Sequence, residues 1–251
     1  MDISIIGTGN CATVLGRLCK SKGHTIKQVI GRNTDHARIL ADELDAAPAH
    51  IREQPDLSAS LFIIALADSS MPESLFGVDL KAVPTVHTAG AVSLDMLKNT
   101  SANYGVLYPL QSLRKEMKHI PEIPFLIEAN NNETGQLIEQ FAKTLSNNVY
   151  YANDAERLRL HTAAVVVNNF TNYLYSVAAD FCTKEKADFN LLKPLIKETA
   201  DRVMENAPKD VQTGPAVRKD ITTLDKHLRL LAPYPKMRTL YMRMTDSIMN
   251  P

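Results

Sequence analysis

The stretch Ile3-Ser4-Ile5-Ile6-Gly7-Thr8-Gly9-Asn10-Cys11-Ala12 decides how the chain reads. A short apolar run is followed by a Gly-x-Gly-x-x-Ala turn and then by Cys11 to Lys20, where Val14, Leu15 and Leu18 recur on one helical face. Strand, glycine turn and helix in immediate succession open a strand-helix-strand unit. In such a turn Gly7 permits the sharp reversal, Gly9 lets a ligand approach the backbone, and Ala12 allows close packing of helix on strand. The helix start then offers free N–H groups and a partial positive charge, which suits a pyrophosphate, so a dinucleotide site is expected.

The same alternation continues downstream. Expected strands are Thr25–Ile30, Ala47–Ile51 with Pro48 inside it, Leu61–Ala67, Val83–His87 and Tyr104–Tyr108. Leu61–Ala67 is almost wholly apolar, as in a central strand buried on both faces. Thr34 is expected to cap a helix reaching Leu44, and Ser93 a short helix ending at Leu97. Phe125–Ala129, a helix from Glu133 to Leu145, and Val149–Tyr151 extend the sheet. From Asp154 to Cys182 there is neither Gly nor Pro, and helices Phe189–Asn206, Pro215–Leu231 and Lys236–Met249 follow. The expected fold is α/β, a mostly parallel Rossmann-type sheet over residues 1–152, followed by an all-helical carboxy-terminal domain over residues 153–251.

Composition narrows the partners. Among 251 residues, 28 basic and 28 acidic side chains balance, which argues against nucleic acid or an acidic membrane surface. The opening Met1–Ile6 lacks the basic and apolar pattern of a leader and reads as a strand, so a cytoplasmic location is expected. Cys11, Cys19 and Cys182 are odd in number and lack metal spacing, which fits a reducing compartment without disulfides or a structural metal.

The end of the second strand chooses between the two nicotinamide dinucleotides. An acidic residue there would hold the adenine ribose hydroxyls and repel a phosphate. The sequence instead reads Gly31-Arg32-Asn33-Thr34, a guanidinium, an amide and a hydroxyl for an anion, and NADP(H) is the expected cofactor. A solvated loop role for Arg32 is the alternative. Cys11 sits where a helix dipole could lower a thiol pKa, but a small residue tolerated beside the cofactor is the simpler reading.

With these residues, His87-Thr88-Ala89-Gly90-Ala91, Tyr108-Pro109-Leu110-Gln111-Ser112, His161-Thr162-Ala163-Ala164-Val165, Asn168-Asn169-Phe170-Thr171-Asn172 and Thr213-Gly214-Pro215-Ala216-Val217-Arg218-Lys219-Asp220 give the chain a family likeness. It resembles Rossmann-like proteins that carry a helical domain of unknown function (DUF2520) at the carboxy end. More distantly it is similar to pyrroline-5-carboxylate reductase and to the 6-phosphogluconate and β-hydroxyacid dehydrogenases. That resemblance implies NADP-linked hydride transfer and dimerisation through the helical half. One departure limits it: those dehydrogenases place a catalytic lysine on the first long helix, where this chain reads Arg157-Leu158-Arg159-Leu160-His161.

Chemistry is expected outside the carboxyl ends of the strands. Leu66, Ala67 and Asp68 follow the fourth strand, His87, Thr88 and Gly90 the fifth, and Pro109 to Ser112 the sixth. Asp68 could contact a ribose or cap the next helix. Arg157, His161, Asn168 and Asn172 share one face at helical spacing, a partly buried polar stripe facing a ligand, the sheet domain or a dimer mate. Hydride delivery to a carbonyl or imine needs a proton donor, and His161 and His87 are the candidates, each with a structural hydrogen-bonding role as its alternative. Asn168 and Asn172 could orient a substrate. Thr213-Gly214-Pro215 is expected to open a helix whose N–H groups could hold a substrate carboxylate, or simply to be a capped helix start. The leading expectation is an NADP-dependent oxidoreductase acting as a homodimer on a small carbonyl or imine compound. The rival is a noncatalytic NADP-binding sensor.

Overall fold

The computed structural model describes residues 1–251. Its strands are β1 (Asp2–Ile6), β2 (Thr25–Gly31), β3 (Ala47–His50), β4 (Leu61–Ile64), β5 (Thr85–His87), β6 (Tyr104–Pro109), β7 (Phe125–Ala129) and β8 (Val149–Tyr151). They form one eight-stranded sheet in the order β3-β2-β1-β4-β5-β6-β7-β8. Only β6 and β7 run antiparallel. The first six strands follow the order of dinucleotide-binding Rossmann sheets, with β1 and β4 adjacent at the point where strand order reverses.

Burial on both faces explains the apolar strands. On β1, Ile3 and Ile5 face the cluster that contains residues of α1 (Asn10–Ser21) and α2 (Thr34–Leu44), whereas Ile6 joins the cluster that includes Met71 and Leu75. The period of two follows from the pleat. Met71 and Leu75 belong to α3 (Met71–Leu75), the helix after the fourth strand, which has Pro72 in its first turn and at five residues is too short for a period to give its bounds. The helix α4 (Asn132–Leu145) buries Ile138, Phe141 and Leu145 and carries the chain from β7 to β8.

Several boundaries differ from expectation for identifiable reasons. Pro84 lacks an N–H, so β5 begins at Thr85 rather than Val83. The strand β4 stops at Ile64, three residues early, where the backbone turns at Ala65 beside Gly7. Asn33 rather than Thr34 caps α2, its side chain accepting the N–H of His36. The long helix is not uniform: α5 (Asp154–Ala164) passes through a π-helical stretch, Val165–Phe170, into α6 (Thr171–Lys184). An expected helix start at Pro215 is displaced to α8, as described below.

Contacts divide the chain into two compact units, Met1–Asn168 and Asn169–Pro251. The first therefore includes α5 as well as the sheet. The second holds α6 together with α7 (Lys193–Glu205), α8 (Ile221–Leu230) and α9 (Pro235–Met249). No helix is long and apolar enough to cross a membrane.

Gly105 shows how tightly the sheet unit is packed. A Cβ there would lie 2.3 Å from Ile138 Cδ1 and 2.4 Å from the Glu128 carbonyl oxygen, and that second neighbour is backbone. Gly105→Ala is expected to cost about 1–3 kcal/mol by overpacking. At roughly 2–4 °C per kcal/mol for a chain of this size, the melting temperature should fall by several degrees in a thermal scan.

Candidate functional site

The turn after β1 is held from two sides. Gly7 donates its N–H to the Ile30 carbonyl at 2.8 Å, and its φ of +132° is a conformation that side chains rarely adopt. A Cβ on Gly7 would meet the Ala65 carbonyl oxygen at 2.2 Å, so the exit of β4 fixes this position as glycine twice over. Gly9 is different: nothing lies within 4 Å of where its Cβ would point. Gly9 is also the N-cap of α1, with no side-chain cap and no acidic residue in the first turn. The amides of that turn thus border open space, where an anion would find both donors and a favourable dipole.

Side chains around the turn are partly committed. The Asn10 amide oxygen accepts the Lys115 N–H at 3.1 Å and so fastens the loop after β6 to the start of α1. Cys11 Sγ donates to Thr88 Oγ1 at 3.4 Å, which joins the β1 turn to the segment after β5. Burial pushes the Cys11 thiol up to about 11, the Thr88 hydrogen bond opposing weakly. Desolvation dominates, and the thiol stays protonated at neutral pH. On the β2 side Arg32 and Thr34 are exposed, and the Asn33 side-chain oxygen Oδ1 is used by its own helix, accepting the His36 N–H.

A second centre is built where β6, the β5 exit and α5 meet. Tyr108, nine-tenths buried at the carboxyl end of β6, has its hydroxyl 2.9 Å from His161 Nδ1, and the two rings sit edge to face at 5.8 Å. Gly90 is the floor beneath both. A Cβ there would be 2.6 Å from His161 Nδ1 and 2.9 Å from Tyr108 Cζ. Burial raises the Tyr108 pKa, with the charges of Asp68 and Cys11 adding to the effect and Arg157 opposing it. The sequence reading placed its segment one residue late, starting at Pro109. A tyrosine closing a strand just before a proline was the available signal.

Arg157 holds α5 in place for this contact. Its guanidinium is 1% exposed and donates to Glu128 Oε2 and the Val92 carbonyl, both at 2.8 Å, and to Asp154 Oδ1. Asp154 in turn accepts the Leu94 N–H at 3.0 Å. An Asn153–Glu156 capping box starts the helix one turn earlier. The polar stripe thus splits. Arg157 and His161 engage the sheet unit, whereas Asn168, within the π-helical stretch, and Asn172, just after it, are exposed rather than partly buried.

Residues 123–248 match the family model described as Domain of unknown function (DUF2520). The chain belongs to this family. No curated protein matches the sequence. A solved structure of a Bacteroides fragilis protein, whose name carries a provisional NADP oxidoreductase assignment, is 40% identical and covers 100% of this chain and 98% of that one, with a TM-score of 0.90. The 1-pyrroline-5-carboxylate reductase of Streptococcus pyogenes is 13% identical, covering 100% and 99% of the two chains at a TM-score of 0.66. An imine reductase from Myxococcus stipitatus, solved with NADP+, is 12% identical and covers 99% and 92% at a TM-score of 0.65. These last two establish a shared fold.

In this DUF2520 protein the remaining sequence candidates fall as follows. Leu66 is half-buried, Ala67 and Asp68 are exposed, and Asp68 caps nothing: the 3-10 turn begins at Asp68 itself, so the cap position falls to Ala67, which has no side chain to serve. His87 is fully buried, and its Nδ1 accepts the Ala89 N–H at 3.2 Å while Nε2 has no partner. Thr213, Gly214 and Pro215 do not begin a helix. Gly214 has φ +112° and Lys219 φ +52°, so the segment is a chain of turns, and α8 starts at Ile221 under an Asp220 cap. The three residues instead line a mostly apolar cavity of about 270 Å³ within the helical unit, with Leu174, Leu240 and Met244 opposite. The helix start on which a carboxylate site was expected is therefore absent at these residues.

Burial, with the Arg157 charge reinforcing it, lowers the His87 pKa from 6.5 to about 4. Above pH 6.5 the ring is neutral in both the folded and unfolded chain. Between pH 6.5 and 4 the unfolded chain takes up a proton that the folded one refuses, so stability falls as pH falls through that window, by on the order of 3 kcal/mol at its lower end. Denaturant melts of the wild type should show this slope, and His87→Gln should flatten it whatever its effect at pH 7.

Proposed function

We propose that this protein is an NADP(H)-dependent oxidoreductase that moves a hydride to or from a small carbonyl or imine compound. The reading rests on one juxtaposition: an open glycine cradle and a tyrosine-histidine pair stand at the carboxyl ends of β1, β4, β5 and β6. Gly7, Thr8, Gly9, Asn10, Cys11 and Ala12 surround the pyrophosphate. Gly31, Arg32 and Asn33 receive the phosphate on the adenine ribose, and Leu66, Ala67 and Asp68, with the His87–Gly90 segment, flank the nicotinamide end. The cradle fits such a group, since the open position is the one where a dinucleotide needs backbone amides without a side chain. When bound, the nicotinamide supplies or accepts the hydride.

His161 handles the proton that accompanies the hydride. Asn168 and Asn172 are exposed amides that orient substrate, and residues 153–251 serve substrate binding and dimerisation. The helical unit carries exposed Leu191, Leu195, Met204 and Ile221, apolar surface that suits a homodimer. The 40% identical Bacteroides fragilis relative supports the cofactor through its name. Balanced charge and free cysteines suit a cytoplasmic enzyme.

Calorimetry and a turnover screen test the proposal. Gly9→Ala should leave thermal stability unchanged, since a Cβ there touches nothing, yet weaken NADPH binding. Arg32→Ala should weaken NADPH by about 10- to 100-fold, the worth of one charge-assisted hydrogen bond, and NADH hardly at all. Tight NADPH binding without turnover across carbonyls, imines and hydroxy acids would point to the sensor instead. No uptake of either nucleotide would overturn the reading altogether.

A further inference from the structure

The tyrosine-histidine pair has a feature that the proposed reaction leaves unused. Tyr108 Oη makes one hydrogen bond in the chain, to His161 Nδ1, and a hydroxyl can donate one bond while accepting another. With Nδ1–H donating into Oη, the tyrosine's own hydrogen is free for a third party. The Asp68 carboxylate at the β4 exit is near enough for its charge to act on the Tyr108 hydroxyl, which His161 on α5 holds by its hydrogen bond.

We propose that Tyr108 is the catalytic acid of this site, handing its hydroxyl proton to the oxygen of a small aldehyde or keto compound, with His161 behind it as the positioning residue that restores that proton. The inference rests on the oxidoreductase reading. It narrows the substrate class, because an iminium ion already carries its positive charge and needs no proton when reduced, whereas a carbonyl oxygen does.

A hydride from the reduced nicotinamide forms the new C–H bond, and the carbonyl π bond breaks onto oxygen. That oxygen forms an O–H bond with the Tyr108 proton. The tyrosine oxygen takes the Nδ1 proton of protonated His161, and water restores it after product leaves. One hydride and one proton are consumed per alcohol formed, the nicotinamide is oxidised and the carbonyl carbon reduced. The raised Tyr108 pKa keeps the hydroxyl protonated between turnovers. The Gly90 floor keeps the two rings at bonding distance.

The test compares two kinds of acceptor on the same enzyme. Glyoxylate, pyruvate and butanal need a proton, whereas N-methyl-1-pyrrolinium, a quaternary iminium salt, needs the hydride alone. Tyr108→Phe should lower kcat on the carbonyl acceptors by about 100-fold, the lower range for general-acid catalysis, and leave both the iminium rate and NADPH affinity within a few-fold of wild type. His161→Asn, whose amide can stand near the place of Nδ1, should keep more carbonyl activity than His161→Ala. Equal losses on both acceptor types, or none on either, would overturn the assignment of Tyr108 while leaving the oxidoreductase reading intact. Turnover of the iminium but of no carbonyl by wild type would overturn the substrate class and the assignment with it. If wild type binds NADPH and reduces neither, the oxidoreductase reading itself fails and this inference falls with it.

Discussion

A guanidinium with 1% of its surface exposed is an expensive thing to bury, and in this protein the site depends on it. Arg157 draws together β7 through Glu128, the segment after Gly90 through the Val92 carbonyl, and its own helix through Asp154. Removing one partner of such a group typically costs about 3–5 kcal/mol, because the other is left charged and unsolvated. Glu128 and Asp154 keep some contact with water, so here the arginine is the member that cannot be left alone. Its Nε lacks a partner even so, which marks the arrangement as a constraint accepted for position. The position gained is that of His161, one helical turn onward, against the Tyr108 hydroxyl.

The glycines complete the constraint from the opposite side. Gly7 brings the first turn against the Ala65 carbonyl, and Gly90 lets two rings close over a backbone that has nothing to push them apart. Neither is there for flexibility. Each removes one carbon where two elements need to touch, and an anchored arginine would be of little use to the histidine if the floor beneath it carried a side chain. Gly9 removes a carbon for the contrary reason, leaving room beside amides that no protein group fills.

The sheet was legible in the sequence because parallel strands buried on both faces are written as uninterrupted apolar runs, and Leu61–Ile64 is the plainest of them. The glycine turn was legible because its residue types and its place between a strand and a helix are local facts. Arg157 and His161 were noticed as a pair from spacing alone, but their partners were not, since Glu128, Val92 and Tyr108 lie 29 or more positions away in sequence. The π-helical stretch at Val165–Phe170 is three valines, two asparagines and a phenylalanine, residues of modest helix propensity that leave no mark distinguishing it from α-helix, so a 3.6-residue period puts Asn168 and Asn172 on a face that the backbone does not maintain. At Thr213-Gly214-Pro215 a favourable local signal lost to backbone geometry: left-handed Lys219 ends the run of turns, and the next helix needs its own cap at Asp220.

The same arginine also sorts the two histidines. His87 lies close enough to feel its charge, and burial with that charge leaves the ring neutral and shut away from any ligand. A proton arriving there would have to sit beside a guanidinium with no water to screen it. Its Nδ1 instead receives the Ala89 amide, which pins the turn leading to Gly90. His161 stands on the arginine's own helix but directs its ring to a hydroxyl, a partner that can give or accept a hydrogen bond in either protonation state of the imidazole. Of two histidines that sequence alone ranks equally, burial beside the guanidinium therefore makes one a fixed brace, while the other turns its ring to the Tyr108 hydroxyl.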